Sequence, residues 1–363
     1  MIGFDYPGRV RRLQVSMADR GVDAVLLSVG ADLPYFTGYE AMQTERLTVL
    51  IVRQEGEPVL FVPELEAPRV KPGKFEVRAW GETDDPVSLA SGVGGSTSKV
   101  AVGDHMWSTF LVRFQKVWAH ASWLPASDLT NDLRMIKDGK EIGLLRGAAH
   151  GVDRVMARIP AEVRFAGRTE RAVSRQLSEM TIEEGHDVAE FAIVASGPNG
   201  ASPHHEPGDR VIQDGDLVVC DFGGRWGGYY SDSTRTFSIG EPSAEQAEVH
   251  EVVGAANLAG TEAVAPGVPC QEIDRAARKV IDEAEYGEFF IHRTGHGIGL
   301  EVHENPYMVE GNKVPLEAGM TFSVEPGIYL PGRFGVRIED VIACTDEGVD
   351  NLNDSDRRLL TVG

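Results

Sequence analysis

Five side chains in the second half of the chain have types that do chemistry together: Asp221, Asp232, His296, Glu325 and Glu339. Each stands in a compact motif. These read C-D-F-G around Asp221, Y-S-D-S-T around Asp232, T-G-H-G-I-G around His296, S-V-E-P-G around Glu325 and V-R-I-E-D around Glu339. Most lie beside apolar runs, which points to one shared, buried site. Four buried negative charges cannot stand together uncompensated. Two divalent cations would compensate them, and carboxylate-rich ligands with one imidazole suit that task. A dinuclear metal centre of this kind implies hydrolysis by an activated bridging water.

Taken singly, each residue has a plainer reading. Asp221 follows the apolar run Leu217–Cys220 and has no Lys or Arg beside it, yet it also reads as a turn cap ahead of Gly223 and Gly224. Asp232 lies eleven residues on, across a glycine-rich hairpin, and could instead bond local backbone within Ser231–Thr234. His296 is flanked by Gly295 and Gly297, whose missing Cβ atoms let backbone approach an ion or substrate. The same glycines also read as a flexible loop; G-x-G-x-x-G is absent, so a dinucleotide fingerprint is not supported. Glu325 follows an expected strand, Thr321–Val324, and Glu339 falls on another, Val336–Ile342. Arg337 would share a strand face with Glu339, as its partner or as a fork for a substrate carboxylate.

Histidines cluster around these motifs. His204 and His205 follow Pro203 in a loop; His292 stands four residues before His296 and His303 seven after. Imidazoles beside a metal site can donate to a developing oxyanion or relay a proton. His150 and His250 fall on expected helices and read as structural.

The elements that must position these groups alternate between helix and strand. Residues 8–20 read as an amphipathic helix stopped by Gly21, with Val10, Leu13 and Met17 on one face. A buried strand follows at Asp23–Ser28, then a hairpin of Leu47–Arg53 and Pro58–Val62. The Gly- and Ser-rich stretch Ser88–Ser98 reads as a mobile loop, and a helix is expected around Trp107–Val117. From Asp132 to Ile159 the pattern is continuously helical until Pro160, and this helix opens the second domain. Helices are also expected at Thr169–Glu184, 243–264 and 270–285. Ala189–Ala195, Leu217–Phe222 and Tyr229–Ile239 read as strands, the last two joined by a glycine-rich turn, Gly223–Gly228.

Bulk properties narrow the function. A chain of 363 residues can form two domains with proper cores. The balance of 35 Lys+Arg against 56 Asp+Glu, a formal charge of -21, excludes nucleic acid as a main partner, since phosphate binding needs a basic face. Cys220, Cys270 and Cys344 lie far apart, which fits neither a disulfide framework nor a thiolate zinc site. No signal peptide and no membrane-length apolar run is legible, so no membrane association and a cytoplasmic setting are expected.

The combined motifs resemble the M24 metallopeptidases of the pita-bread fold, in the Xaa-Pro dipeptidase (prolidase) and Xaa-Pro aminopeptidase branch. The resemblance covers almost the whole chain. G-V-D-A-V-L-L and P-Y-F-T-G-Y look like the creatinase-type N-terminal domain, and L-R-M-I-K-D-G-K-E-I-G-L-L-R looks like that family's entry helix. It implies a two-domain α/β chain: a creatinase-like N-terminal α/β domain over 1–131, then a pita-bread (α+β) catalytic domain over 132–363. The implied metal ligands are Asp221, Asp232, His296, Glu325 and Glu339, with Asp232 and Glu339 reaching both ions. Manganese is the usual metal of the family, cobalt or zinc being alternatives. Glu325 would shuttle a proton, and His204 and His303 would stabilise the tetrahedral intermediate. His292, Arg337 and Tyr329 match positions lining the proline side of the pocket. The implied reaction is hydrolysis of the bond before proline in Xaa-Pro dipeptides. Its rivals are an aminopeptidase acting on longer Xaa-Pro peptides and a catalytically silent pita-bread protein that binds peptide. A homodimer is the family's expectation.

Overall fold

The computed structural model of the chain describes residues 3–363 apart from 72 and 74. It divides into two compact units, Met1–Arg134 and Met135–Gly363.

The first unit is built on a six-stranded mixed sheet. Its order is Glu76–Trp80, Val59–Pro63, Val49–Arg53, Ala24–Leu27, Lys99–Val102, Ser122–Pro125. Helix Tyr6–Arg20 starts where the Asp5 carboxylate accepts the Gly8 N–H at 2.9 Å and ends at Gly21, left-handed with φ +62°. It buries Val10, Leu13 and Met17, the face its spacing predicts. The hairpin of Val49–Arg53 and Val59–Pro63 forms as expected. Ser88–Ser98 is not a mobile loop, because most of it belongs to helix Pro86–Gly94. Asp85 accepts the Val87 and Ser88 N–H groups and Pro86 occupies the first turn, a start signal that outweighs the Gly and Ser content. Val87 and Ala90 then pack with Phe110, Phe114 and Trp118 in the core.

The long helix expected from Asp132 to Ile159 is interrupted. Helix Ser127–Met135 ends, and Asp138 starts a new one, Gly139–Glu162. Asp138 accepts the Lys140 and Glu141 N–H groups at 2.8 and 3.0 Å, and Glu141 accepts the Asp138 N–H at 2.9 Å. Pro160 does not end this helix. It lies in the last turn, and the helix runs on to Glu162.

Helices Gly139–Glu162 and Glu170–Glu183 bury Val152, Val155, Ile159, Val173 and Leu177 against a sheet ordered Leu360–Val362, Ser233–Ile239, Leu217–Trp226, Val188–Ser196. A second sheet runs Glu304–Met308, Gly295–Gly297, Thr321–Val324, Asp340–Thr345, Gly348–Asn351. Helices Ala244–Glu262 and Cys270–Glu283 lie against it and against the hairpin of Gly327–Leu330 and Phe334–Arg337. Each sheet therefore has one face covered by a helix pair, the pita-bread layering expected of this half.

Three local expectations change here. Gly223 and Gly224 are not in a turn. The strand continues through them to Trp226, and the turn falls at Gly227–Gly228, both at positive φ. A Cβ at Gly223 would stand 2.0 Å from the Ser231 carbonyl oxygen, and one at Gly224 2.2 Å from that of Val188, so close strand approach requires both glycines. His296 lies on a three-residue strand rather than in a loop. Glu339 sits in the step between two strands, Phe334–Arg337 and Asp340–Thr345, not inside one.

Candidate metal centre and active site

The site is a product of strand alternation, in which successive side chains point to opposite faces. Along Leu217–Trp226, Val218, Cys220 and Phe222 enter the helix-covered core, so Asp221 points the other way. On the paired strand Phe237 joins that core, while Thr234 stands opposite Asp221 and Asp232 lies two residues before it. Phe322 and Val324 are core residues and alternate with Ser323 and Glu325. Val336 and Ile338 are core and alternate with Arg337 and Glu339, through the break in the strand. His296 reaches the same place because a Cβ at Gly295 would fall 1.8 Å from the Ser323 carbonyl oxygen and one at Gly297 2.4 Å from that of Asn305. Only glycine on either side lets its strand pack that closely.

All five residues of the sequence-derived set converge. The donor atoms of Asp221, Asp232 and Glu339 lie within 4.8 Å of one another, as do those of His296, Glu325 and Glu339, and those of Asp232, His296 and His303. Their electrostatics fit a site for cations. Asp221 Oδ1 and Glu339 Oε1 are buried with no hydrogen-bond partner. Burial, then the neighbouring Glu339, Asp221 and Glu325, push the Asp232 carboxyl well above its ordinary range. Burial, Glu325 and Asp221 do the same to Glu339. Glu325 is pushed up to about 7, chiefly by burial. The His296 Nδ1–H donates to the Gly297 carbonyl at 3.1 Å, since a carbonyl can only accept. Nε2 is then an open lone pair, 3.2 Å from Glu325 Oε1 and 3.6 Å from Asp232 Oδ2. Burial, with His303 alongside, holds this imidazole neutral, down to about 3. Orphaned carboxylate oxygens and a neutral imidazole with a free nitrogen are the donor set of hard to borderline divalent cations.

A second ring of groups fixes these donors. Arg337 donates to Asp221 Oδ2 at 2.6 Å, to the Tyr329 hydroxyl at 2.9 Å and to the Thr234 hydroxyl at 3.1 Å. Thr234 donates in turn to Glu339 Oε2 at 2.7 Å. Tyr329 donates to His292 Nε2 at 2.8 Å, and His292 Nδ1–H donates to the Arg293 carbonyl at 2.7 Å. Both His292 nitrogens are therefore engaged, and burial holds the ring neutral, down to about 4. Tyr329 is itself buried, so it reaches the cavity through His292 and Arg337. Ser323 accepts the His296 backbone N–H and donates to Glu325 Oε1, both at 3.1 Å.

The five donors, with His292 and Arg337, line a cavity of about 580 Å³, with His204 and His303 on its wall beside Phe191, Ile193, Pro203, Val302 and Arg293. His205 faces away and donates to Glu170 at 2.8 Å. Sequence reading missed Thr234, Ser323 and the apolar wall. Strand parity could have found them: Thr234 is two residues after Asp232, Ser323 two before Glu325, and Ile193 pairs with Asp221 across the sheet.

Residues 143–346 match the model of metallopeptidase family M24, and residues 9–136 match the creatinase/prolidase N-terminal domain. The chain is 43% identical, over 98% of its length and 96% of the relative's, to a Mycobacterium tuberculosis protein named probable dipeptidase PepE. It is 36% identical to the Xaa-Pro dipeptidase of Lactobacillus helveticus, over 97% of this chain and 98% of that one. Among solved structures, a recombinant prolidase from Thermococcus sibiricus superposes with a TM-score of 0.95 at 39% identity, covering 99% of this chain and 100% of that one. With its donors gathered on one buried cavity and both halves matched, the chain belongs to metallopeptidase family M24 and carries that family's creatinase/prolidase N-terminal domain.

Proposed function

We propose that the enzyme hydrolyses the peptide bond before proline in Xaa-Pro dipeptides. The observation that carries this is the cavity in which five metal donors converge, two of them with a buried carboxylate oxygen that has no partner, opposite an apolar wall. The relatives named Xaa-Pro dipeptidase and prolidase give the substrate class. Asp221, Asp232 and Glu339 would hold one divalent ion and Asp232, His296, Glu325 and Glu339 the other, with manganese proposed and cobalt or zinc compatible. When bound, the two ions supply Lewis acidity for the scissile carbonyl and lower the pKa of a water to be used as nucleophile.

The remaining work falls to the chain's own groups. Glu325 carries the proton from the attacking water to the proline nitrogen as the bond breaks, and Ser323 keeps its carboxylate aimed. The N–H groups of His204 and His303 donate to the carbonyl oxygen as it becomes an oxyanion. Arg337 holds Asp221, and Tyr329 ties Arg337 to His292, so that the proline side of the cavity is rigid. Phe191, Ile193 and Val302 offer apolar surface to the substrate. A bond before proline has no N–H, so a substrate cannot be bound by strand-like hydrogen bonds there. A shaped cavity with ions near the free N-terminus needs none.

The test uses metal-stripped protein reloaded with manganese. Release of proline from Ala-Pro and Met-Pro is compared with cleavage of an Ala-Pro-Yaa tripeptide, each repeated with Asp221→Ala. Metal-dependent dipeptide cleavage without tripeptide cleavage is expected, and its loss in Asp221→Ala. The reverse selectivity makes the enzyme an Xaa-Pro aminopeptidase, and no turnover with both ions bound returns the silent peptide-binding protein. A cytoplasmic homodimer is proposed alongside. Three buried free cysteines support a reducing setting, and sedimentation tests the dimer.

A further inference from the structure

His205 stands next to a proposed catalytic residue but takes no part in the cavity. Its Nε2–H donates to the Glu170 carboxylate, which is fully buried at the first residue of helix Glu170–Glu183. Glu170 accepts six hydrogen bonds. Ser196 gives its N–H at 2.9 Å and its hydroxyl at 2.7 Å; Asn199 Nδ2 reaches both oxygens at 3.0 and 3.2 Å; His205 donates at 2.8 Å and the Gly208 N–H at 3.2 Å. Every donor lies in one segment, 196–208, which crosses the cavity wall at Pro203 and His204. Burial alone would raise the Glu170 carboxyl, yet these donors hold it below its ordinary value. The segment thus binds its carboxylate as an anion.

The cavity side of the segment is held separately. Arg337 donates to the Pro203 carbonyl at 3.4 Å. A Cβ at Gly335 would fall 1.9 Å from the Gly200 carbonyl oxygen, so the segment lies directly on strand Phe334–Arg337. Between these two holds, adjacent residues face opposite ways: His204 into the cavity, His205 back to Glu170.

We propose that Glu170 and His205 form a clamp that positions His204 at the scissile carbonyl; both are positioning residues, and the proposal rests on the function proposed above. The chemistry requires it. A donor to an oxyanion must meet the oxygen where charge develops, and displacement of about 1 Å can cost on the order of a hundredfold in rate. A loop imidazole held only by its own backbone would not meet that tolerance. His205 is also the clamp member whose loss the fold can survive, because Glu170 keeps its Ser196, Asn199 and Gly208 donors.

The test is His205→Ala against His205→Gln, each loaded with manganese. A glutamine amide places an N–H near the position of the imidazole Nε2 and can restore the bond to Glu170, but it cannot exchange a proton as imidazole does. For His205→Ala, kcat on Ala-Pro should fall about tenfold with KM and metal content unchanged, since His204 acts only in the transition state. His205→Gln should recover to within about twofold of wild type. Amide hydrogen exchange over 197–208 should quicken in His205→Ala and return to wild type in His205→Gln. Glu170→Gln, which sets an amide against donors, should reproduce the loss in kcat. An unchanged kcat in His205→Ala would overturn the proposal, as would a glutamine variant no more active than the alanine one. Should wild type cleave no Xaa-Pro peptide, the proposed function falls, while exchange in 197–208 still decides whether the clamp holds the segment.

Discussion

The hydroxyl of Thr234 joins the metal donors to the groups that hold them, and its removal isolates that link. Thr234→Val exchanges the hydroxyl for a methyl of the same shape, so no cavity forms. Two bonds vanish: the one given to Glu339 Oε2 at 2.7 Å and the one received from the charged Arg337 Nε at 3.1 Å. Glu339 Oε1 already lacks a partner, so the carboxylate would be left with neither oxygen bonded. Arg337 keeps Asp221 and Tyr329. The bond from the Arg337 guanidinium is worth about 1.5–3 kcal/mol and the bond to the Glu339 carboxyl, held protonated without metal, about 0.5–1.5 kcal/mol; one is partly compensated, so metal-free protein should lose about 3 kcal/mol. For a unit of this size that is a Tm lower by about 6–12 °C. Manganese affinity should fall about 10–100-fold, as when a group orienting a ligand is removed. Thr236→Val is the control, because Thr236 bonds only Arg337 backbone. Calorimetric titration of stripped protein reads the affinity and thermal melts read the stability. If Thr234→Val binds manganese as wild type does while melting as low as Thr236→Val, Thr234 has no role in orienting Glu339.

The metal-free protein should become less stable as pH rises. Glu325 is pushed up to about 7 and Asp232 and Glu339 are raised too, so the folded state holds protons that the unfolded state has already released. The Glu325 contribution is complete below the ordinary carboxylate range and is lost as pH rises through about 7, and Asp232 and Glu339 act in the same direction. Urea midpoints at pH 5 and pH 8 should show this fall in stripped protein and not in manganese-loaded protein; a stripped protein firmer at pH 8 contradicts it. Gly295→Ala should abolish the folded site, since its Cβ would lie 1.8 Å from the Ser323 carbonyl oxygen. Gly143→Ala, on a helix with nothing within 4 Å of the new atom, should instead stabilise by about 0.5–1 kcal/mol. Melting curves of the pair read both outcomes.

The site was legible because its residue types and motifs survive in linear order, whereas the elements carrying them were less so. Cys220 and Phe222 flank Asp221 with apolar side chains, a local signature of alternation. What defeated local reading were residues answering to distant backbone. Gly223 and Gly224 read as a turn by composition, yet they sit within a strand because the Ser231 and Val188 carbonyls approach from either side. The pattern from 132 to 159 is helical throughout, but the capping box of Asp138 and Glu141 restarts the chain. In Pro86–Gly94 one aspartate ahead of a proline outweighs the glycines and serines that follow. Arg337 was open to two roles in sequence. The structure joins it to Asp221, Tyr329 and Thr234, none adjacent in the chain.

Strand parity also makes the chain's length at certain points harder to change than its composition. A single residue inserted between Val218 and Cys220 would rotate the Asp221 carboxylate into the helix-packed layer and turn the Cys220 thiol toward the cavity. One inserted between Phe322 and Glu325 would do the same to Glu325, and Val336–Glu339 obeys the same arithmetic. Substitutions there remove one group, whereas an insertion exchanges two faces at once. Residues added at the tips of the turns, at Gly227–Gly228 or at 331–333, lie outside the paired strands and need not exchange their faces. A tag, a loop graft or a circular break designed into this enzyme should be placed at those turns.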